Sequence, residues 1–167
     1  MPLGEVPAPL PEPGADLVEL GAYWGYREVM DRLARRFPAV APMPLASFRI
    51  EERLLPGGDL AQLLALQSVL GEKKVFLVPP KPYGFVVKEP PQRKSPWVQV
   101  TVTENEKGPL PRAVMFRDSF AHEMMDFLSE HFRRIVYVWD MEKGFDFAPL
   151  DEERPALVLE EIIERNL

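Results

Sequence analysis

The sequence contains no cysteine. Disulfides, thiolate metal sites and a cysteine nucleophile are therefore excluded together. Histidine is scarce as well. His122 and His131 are the two imidazoles, and neither joins a recognisable metal-ligand spacing, so no metal and no cofactor is expected. Asparagine occurs only at Asn105 and Asn166, against 19 prolines, a balance that suits a thermophile. No apolar run reaches the about 20 residues that a membrane-spanning helix needs, so no membrane span is expected. The opening "MPLGEVPAPLPEPGADL" lacks the basic region and apolar core of a secretory signal, and the chain as written reads as cytoplasmic. Positive charge is also short. The net charge is −6 and the basic residues are scattered, which speaks against nucleic acid as a partner.

What is present is the composition of one globular domain: 167 residues, 46% hydrophobic and 28% charged, enough to bury a core. The prolines of residues 1–15 predict an extended, polyproline-like arm, ahead of a single domain over 16–167. From Leu17 to Phe37, the positions Leu20, Tyr23, Trp24, Tyr26, Met30, Leu33 and Phe37 recur near a helical period, and Pro38 stops the pattern. A second helix is expected over Asp59–Leu70, capped by Asp59 and buried through Leu60, Leu63, Leu64, Leu66 and Leu70. The period then changes. "KVFLVPP", "YGFVVKEPP" and "WVQVTVTEN" read as short strands. In the last of these, Val98, Val100 and Val102 alternate with a Trp97, Gln99, Thr101 and Thr103 face expected to be wet. A strand to Phe116, a helix over Phe120–Phe132, the strand "RIVYVW" and the strand-like "PALVLEEI" follow. The strand, helix, strand order predicts a βαβ crossover and a parallel pair.

The chemistry concentrates in "RAVMFRDSFAHEMMDFLSEHF". Ala113-Val114-Met115-Phe116 should form a buried strand that stops at Asp118-Ser119, putting Ser119 at the carboxyl end of a sheet, where open α/β folds collect ligands. A serine there is either a nucleophile or a helix N-cap. As a nucleophile it needs a base, an acid to orient that base and oxyanion donors. The Ser119 backbone N–H is a candidate donor. His122, three residues on, can reach Ser119 or stand in solvent. Asp118 can orient the loop or cap the helix. On the helix itself, Phe120, Met124, Phe127, Leu128 and Phe132 are expected on the core side, with His122, Glu123, Asp126, Ser129 and Glu130 outside. His131 is expected to complement the helix dipole. "LLPGGDLAQ" lacks the Gly-Lys-Ser/Thr ending of a phosphate loop and reads as a turn. Glu160, Glu161 and Glu164 in "EEIIER" read as a solvated face.

Taken in order, "GAYWGYREVM", "PMPLASF", "GGDLAQLL", "PRAVMFRDSF", "FLSEHFRRIVYVW" and "RPALVLEEIIERNL" resemble the SGNH-hydrolase-like domain of the alginate O-acetyltransferase proteins, the AlgX and AlgJ type. The resemblance covers nearly the whole chain after Gly14. It implies a truncated three-layer α/β fold, flavodoxin-like in architecture, with a partly parallel sheet and an added β-hairpin region. It also implies that Ser119, the serine of the family's Asp-Ser-Phe segment, is the nucleophile. The family's acid and base lie in an Asp-Thr-His-Trp-Asn segment just before the Gly-Ala-Tyr helix. Here that text is "PEPGADLVELGAY". Anchored on Gly21, the histidine position falls on Asp16 and the aspartate position on Gly14, so both partners are absent.

Three readings follow. The first is a relative of carbohydrate O-acetyltransferases and esterases with impaired or lost catalysis. The second is a working serine acyl-ester hydrolase or O-acyltransferase, with Ser119 activated by His122 or by a partner's residue, acting on an acylated carbohydrate or a small ester. The third is a binding or assembly module in which Ser119 only caps. Members of the family are extracytoplasmic and carry further strands ahead of this region. The sheet left open predicts a homodimer, through strand residues between Val75 and Val102 or through Tyr23, Trp24 and Tyr26.

Overall fold

The computed structural model describes residues 15–16, 18–66, 68–95, 98–140 and 147–162. In chain order they form β1 (Ala15–Asp16), α1 (Val18–Ala34), β2 (Arg49–Pro56), α2 (Asp59–Leu63), β3 (Gly71–Val78), β4 (Val86–Ser95), β5 (Val98–Glu104), β6 (Leu110–Arg117), α3 (Met125–Ser129), β7 (Phe132–Asp140), α4 (Ala148–Glu153) and β8 (Leu157–Glu160). The arm expected over 1–15 lies outside the described residues except for Ala15, which pairs with Lys73 of β3.

The apolar run around Val114 forms the middle of a five-stranded sheet of order β4-β5-β7-β6-β8. Strands β6, β7 and β8 run parallel, with Val114 facing Val136 on one side and Val158 on the other. Strand β5 joins β7 antiparallel, and β4 adds an irregular antiparallel edge. The expected parallel pair is therefore β6 and β7, joined through α3. Alternation along β6 feeds two cores. Ala113 and Met115 face the layer of α1 and α3 with Tyr23, Tyr26, Met30, Phe127 and Leu128. Val114 and Phe116 face the opposite side with Val102, Val136, Val138 and, from α4, Leu150. Helices thus lie on both faces of the sheet, the expected three-layer α/β arrangement. The added hairpin region is a separate three-stranded sheet, β1-β3-β2.

Helix α1 forms where its period predicted and ends at Ala34. Its aromatic stripe packs on α3, with the Tyr26 and Phe127 rings 5.3 Å apart. Trp24 departs from the stripe and is exposed, with the Arg27 guanidinium over its ring. Tyr23, Tyr26, Val75 and Val102 are all buried. Trp24, Val86 and Val87, which also belong to the expected homodimer surfaces, stay exposed.

Three other expectations are corrected. Helix α2 stops at Leu63, because Ala65 turns to φ 55° and the Leu66 amide bonds back to the Ala61 carbonyl. Leu63, Leu64, Leu66 and Leu70 are consequently exposed, since a helix cut to five residues does not lay them on a core. Secondly, Thr101 and Thr103 are buried. The Thr103 hydroxyl donates to Ser129 Oγ at 2.9 Å, and Ser129 Oγ meets Tyr137 Oη at 2.8 Å. Hydrogen bonding lets the polar face of β5 sit under α3 instead of in water. Thirdly, the segment after Ser119 is a 3-10 turn at His122–Met124 followed by α3. Its phase therefore differs from one continuous helix: Phe120 is exposed, Ser129 is buried and Phe132 begins β7.

Arg134 ties α4 to the sheet. Its guanidinium donates to both Glu153 carboxylate oxygens, at 2.7 and 2.6 Å, and to Glu104 at 2.7 Å. These contacts raise the Arg134 pKa and lower those of Glu153 and Glu104. Arg134→Met should lower unfolding stability by about 2 kcal/mol, the scale of hydrogen bonds to charged groups, read as a reduced midpoint in urea.

Candidate active site

Ser119 stands two residues past the end of β6 and is exposed. This is the carboxyl end of a strand in the parallel part of the sheet, as the sequence predicted. The turn that carries it is built by its neighbours. The Asp118 amide donates to Glu161 Oε2 at 3.1 Å, and the Glu161 amide donates to the Phe116 carbonyl at 2.9 Å. The end of β8 thus clamps both sides of the turn. Arg117 is buried beneath it, donating from Nη1 to the Asp118 carbonyl at 3.0 Å, with its guanidinium over the Trp139 ring. Burial lowers the Arg117 pKa against the opposing pull of Glu161. Burial likewise raises that of Glu161, which also sits beside the Asp118 carboxylate. Sequence reasoning put Glu161 on a solvated face. Its partner is 43 positions away, and no periodicity carries that signal. Glu160 is exposed, as expected, and Glu164 lies outside the described residues.

The choice between cap and nucleophile turns on Asp118. Its Oδ1 accepts the Phe120 amide at 2.7 Å, so Asp118 satisfies an amide of the first turn. The 3-10 turn begins at Ala121 without a side-chain cap, and the Ser119 hydroxyl makes no hydrogen bond to a described residue. His122 meets Ser119 through the backbone, its amide donating to the Ser119 carbonyl at 3.3 Å. Its imidazole is not hydrogen-bonded to the serine. His131 departs furthest from expectation. It is buried with Nε2 2.6 Å from Tyr26 Oη, and burial pushes its pKa down to about 4. It is therefore neutral at pH 7 and adds no charge to a helix end. Tyr26 Oη also accepts the Met43 amide at 2.8 Å, which ties this buried pair to the loop before β2.

Asp16 pairs with Lys74 in the β1–β3 ladder, and Lys74 Nζ reaches Glu123 Oε1 at 3.3 Å, in the turn that follows Ser119. A cleft of about 270 Å³ opens beside this point, lined by Glu19, Leu77, Tyr83, His122, Glu123, Asp126 and Phe127 among others. Ser119 borders the turn and does not line the cleft. Burial, reinforced by Glu123 and Asp126, raises the Glu19 pKa, while the Leu77 backbone and Lys74 oppose the rise. Burial also raises Asp126, with Glu123 adding and His122 opposing. Among the described residues, no three His, Asp or Glu side chains gather as a metal site, and no helix is long and apolar enough to cross a membrane.

No protein-family model matches this sequence, and no curated protein sequence does. Solved structures do match. The chain shares its fold with PatB1 of Bacillus cereus. The PatB1 structure with a sulfonyl adduct superposes with a TM-score of 0.62 at 15% identity, over 85% of this chain and 56% of that one. PatB1 without the adduct gives 0.59 at 15% identity, over 85% and 58%. A DHHW family protein from Eubacterium siraeum gives 0.59 at 13% identity, over 85% and 55%. The chain therefore spans a little over half the length of these structures. The α/β fold with its partly parallel sheet and separate hairpin sheet is the fold this chain shares with them.

Proposed function

We propose that this chain is an SGNH-hydrolase-like acyl-ester domain related to O-acyltransferases, with Ser119 in the nucleophile's place and catalysis strongly impaired. The observation that carries the reading is the state of Ser119. It is exposed at the carboxyl end of β6 on a turn held by Glu161, free of capping duty, yet its hydroxyl meets no described base. Serine without a positioned base stays a protonated alcohol and forfeits on the order of 10⁴ to 10⁶ in rate. Asp16, at the family's histidine position, is a poor substitute for imidazole, because its conjugate acid is far stronger. The likeness to PatB1 supports an acyl-transfer ancestry, and the sulfonyl adduct in one of those structures fits it. Sulfonyl reagents react with nucleophilic side chains. The natural substrate class in this reading is an acylated carbohydrate or a small ester.

The test is hydrolysis of 4-nitrophenyl acetate. Turnover should fall far below the ordinary enzyme range of about 1 to 10³ per second, and Ser119→Ala should change it little. Ordinary turnover that Ser119→Ala abolishes would replace this reading with the working hydrolase. If His122→Ala also abolished it, His122 would be the activating base.

A further inference from the structure

The exposed leucines of the hairpin sheet carry a second proposal. Loop residues between β2 and β3 fold back on themselves, the Gly57 amide donating to the Leu70 carbonyl at 2.7 Å. This gathers Leu54, Leu55, Leu63, Leu64, Val69 and Leu70 at one end of the sheet. Leu54 is 74% exposed, Leu63 81% and Val69 76%.

Beside this patch the sheet has an open edge. Strand β2 is terminal in the order β1-β3-β2, and no described strand pairs its outer side over Arg49–Pro56. The strand has no proline before its last residue, so its backbone is free to template another strand. The register on β3 assigns the faces. Ile50, Glu52 and Leu54 share one face, opposite Leu77, Val75 and Lys73; Ile50 packs against the core, while Glu52 and Leu54 are exposed. Arg49, Glu51 and Arg53 share the other face, where Glu51 is ion-paired with both arginines.

A second copy of β2 laid antiparallel about a two-fold axis must match residues of the same face. Centred on Glu51, it would oppose Arg49 to Arg53 of the partner subunit, cation against cation. Centred on Glu52, it sets Glu51 opposite the partner's Arg53, and Ile50 opposite the partner's Leu54. Both matches occur twice by symmetry. The leucine that projects past its own core then covers the half-buried Ile50 of the other copy. Two mismatches remain: Glu52 meets itself on the axis, and Arg49 faces the partner's Leu55.

We infer that this chain forms a two-fold dimer by pairing β2 with the β2 of a second copy, centred on Glu52, so that Leu54 of each copy covers Ile50 of the other. The sheet becomes six-stranded across the axis, and the terminal edge disappears.

Sedimentation equilibrium of the full chain, with circular dichroism to verify folding, tests the association. The natural chain should show the dimer mass, and Leu54→Arg should give a folded monomer. Glu52→Gln should tighten the dimer by about two- to fivefold, because like charges directly opposite in antiparallel strands are removed. A protein sticking through leucines alone would not respond to Glu52→Gln. Since the chain has no cysteine, Glu52→Cys supplies a direct readout: opposed residues on antiparallel strands have Cα atoms about 4.5–5.5 Å apart, within disulfide reach. It should cross-link the dimer under mild oxidation, whereas Lys107→Cys should not. A monomer mass at every concentration overturns the proposal. So does a dimer that Leu54→Arg leaves intact and Glu52→Cys fails to cross-link.

Discussion

The Gly14→Asp/Asp16→His double variant should hydrolyse 4-nitrophenyl acetate about 10²- to 10⁴-fold faster than the natural chain, the usual contribution of a positioned general base. The new rate should rise through a pKa near about 6.5, where an imidazole loses its proton and becomes able to accept that of serine. Support for the position comes from the ladder between β1 and β3. Asp16 lies beside Lys74, and Lys74 is bonded to Glu123 in the turn that follows Ser119. Asp16→His alone should give a smaller gain, since no carboxylate then holds the ring in its productive tautomer. Adding Ser119→Ala should return the rate to its starting value. If that triple variant kept the gain, the histidine would be acting on water, and Ser119 would lose its assignment as nucleophile.

Lowering the pH from 6.5 to 4 should remove about 3 kcal/mol of stability from the natural protein that a His131→Gln variant does not lose. The His131 ring is buried against Tyr26, and burial pushes its pKa down to about 4. In the unfolded chain the ring takes a proton near about 6.5. Above that pH neither state is protonated, and His131 makes no pH-dependent contribution. Between about 6.5 and 4 the unfolded chain binds a proton that the folded chain refuses, so stability falls as pH falls, by about 1.4 kcal/mol per unit. Burial raises the carboxyl groups of Glu19, Asp126 and Glu161, which by the same linkage favours the folded state as pH falls. Those groups are common to both proteins and cancel in the comparison. Urea denaturation at pH 6.5 and pH 4 measures the difference. Parallel loss in the two proteins would show that the buried imidazole accepts its proton without penalty.

The parts of this fold that were legible in the sequence are those that depend on near neighbours. The run at Ala113–Phe116 is apolar at every position because both faces of β6 are covered, and its abrupt end set Ser119 at the strand's carboxyl end. Helix α1 announced itself through a period of side chains a few residues apart. Patterns of this kind mark which side of an element differs from the other. They leave open what lies against each side. Thr101 and Thr103 alternate with valines as a wet face would, yet both are buried, Thr103 in a hydrogen-bonded chain with Ser129 and Tyr137. The leucines after Asp59 have the density of a buried helix, yet the backbone turn at Ala65 leaves them outside the core.

The candidate site divides along the same line. That Gly14 and Asp16 stand where the resembled domain has its acid and base can be read from the sequence, and the absence of cysteine and scarcity of histidine follow from composition. Tertiary structure alone decided that Glu161 holds the serine's turn, that Lys74 links the Asp16 strand to that turn, and that His131 is sealed against Tyr26, 105 positions away in the chain. The physical reason is one of range. Hydrophobic period and turn chemistry act within a few residues, whereas the partner of a polar group and the burial that shifts its pKa are set by which layers stack, and stacking joins residues whose separation in sequence carries no pattern.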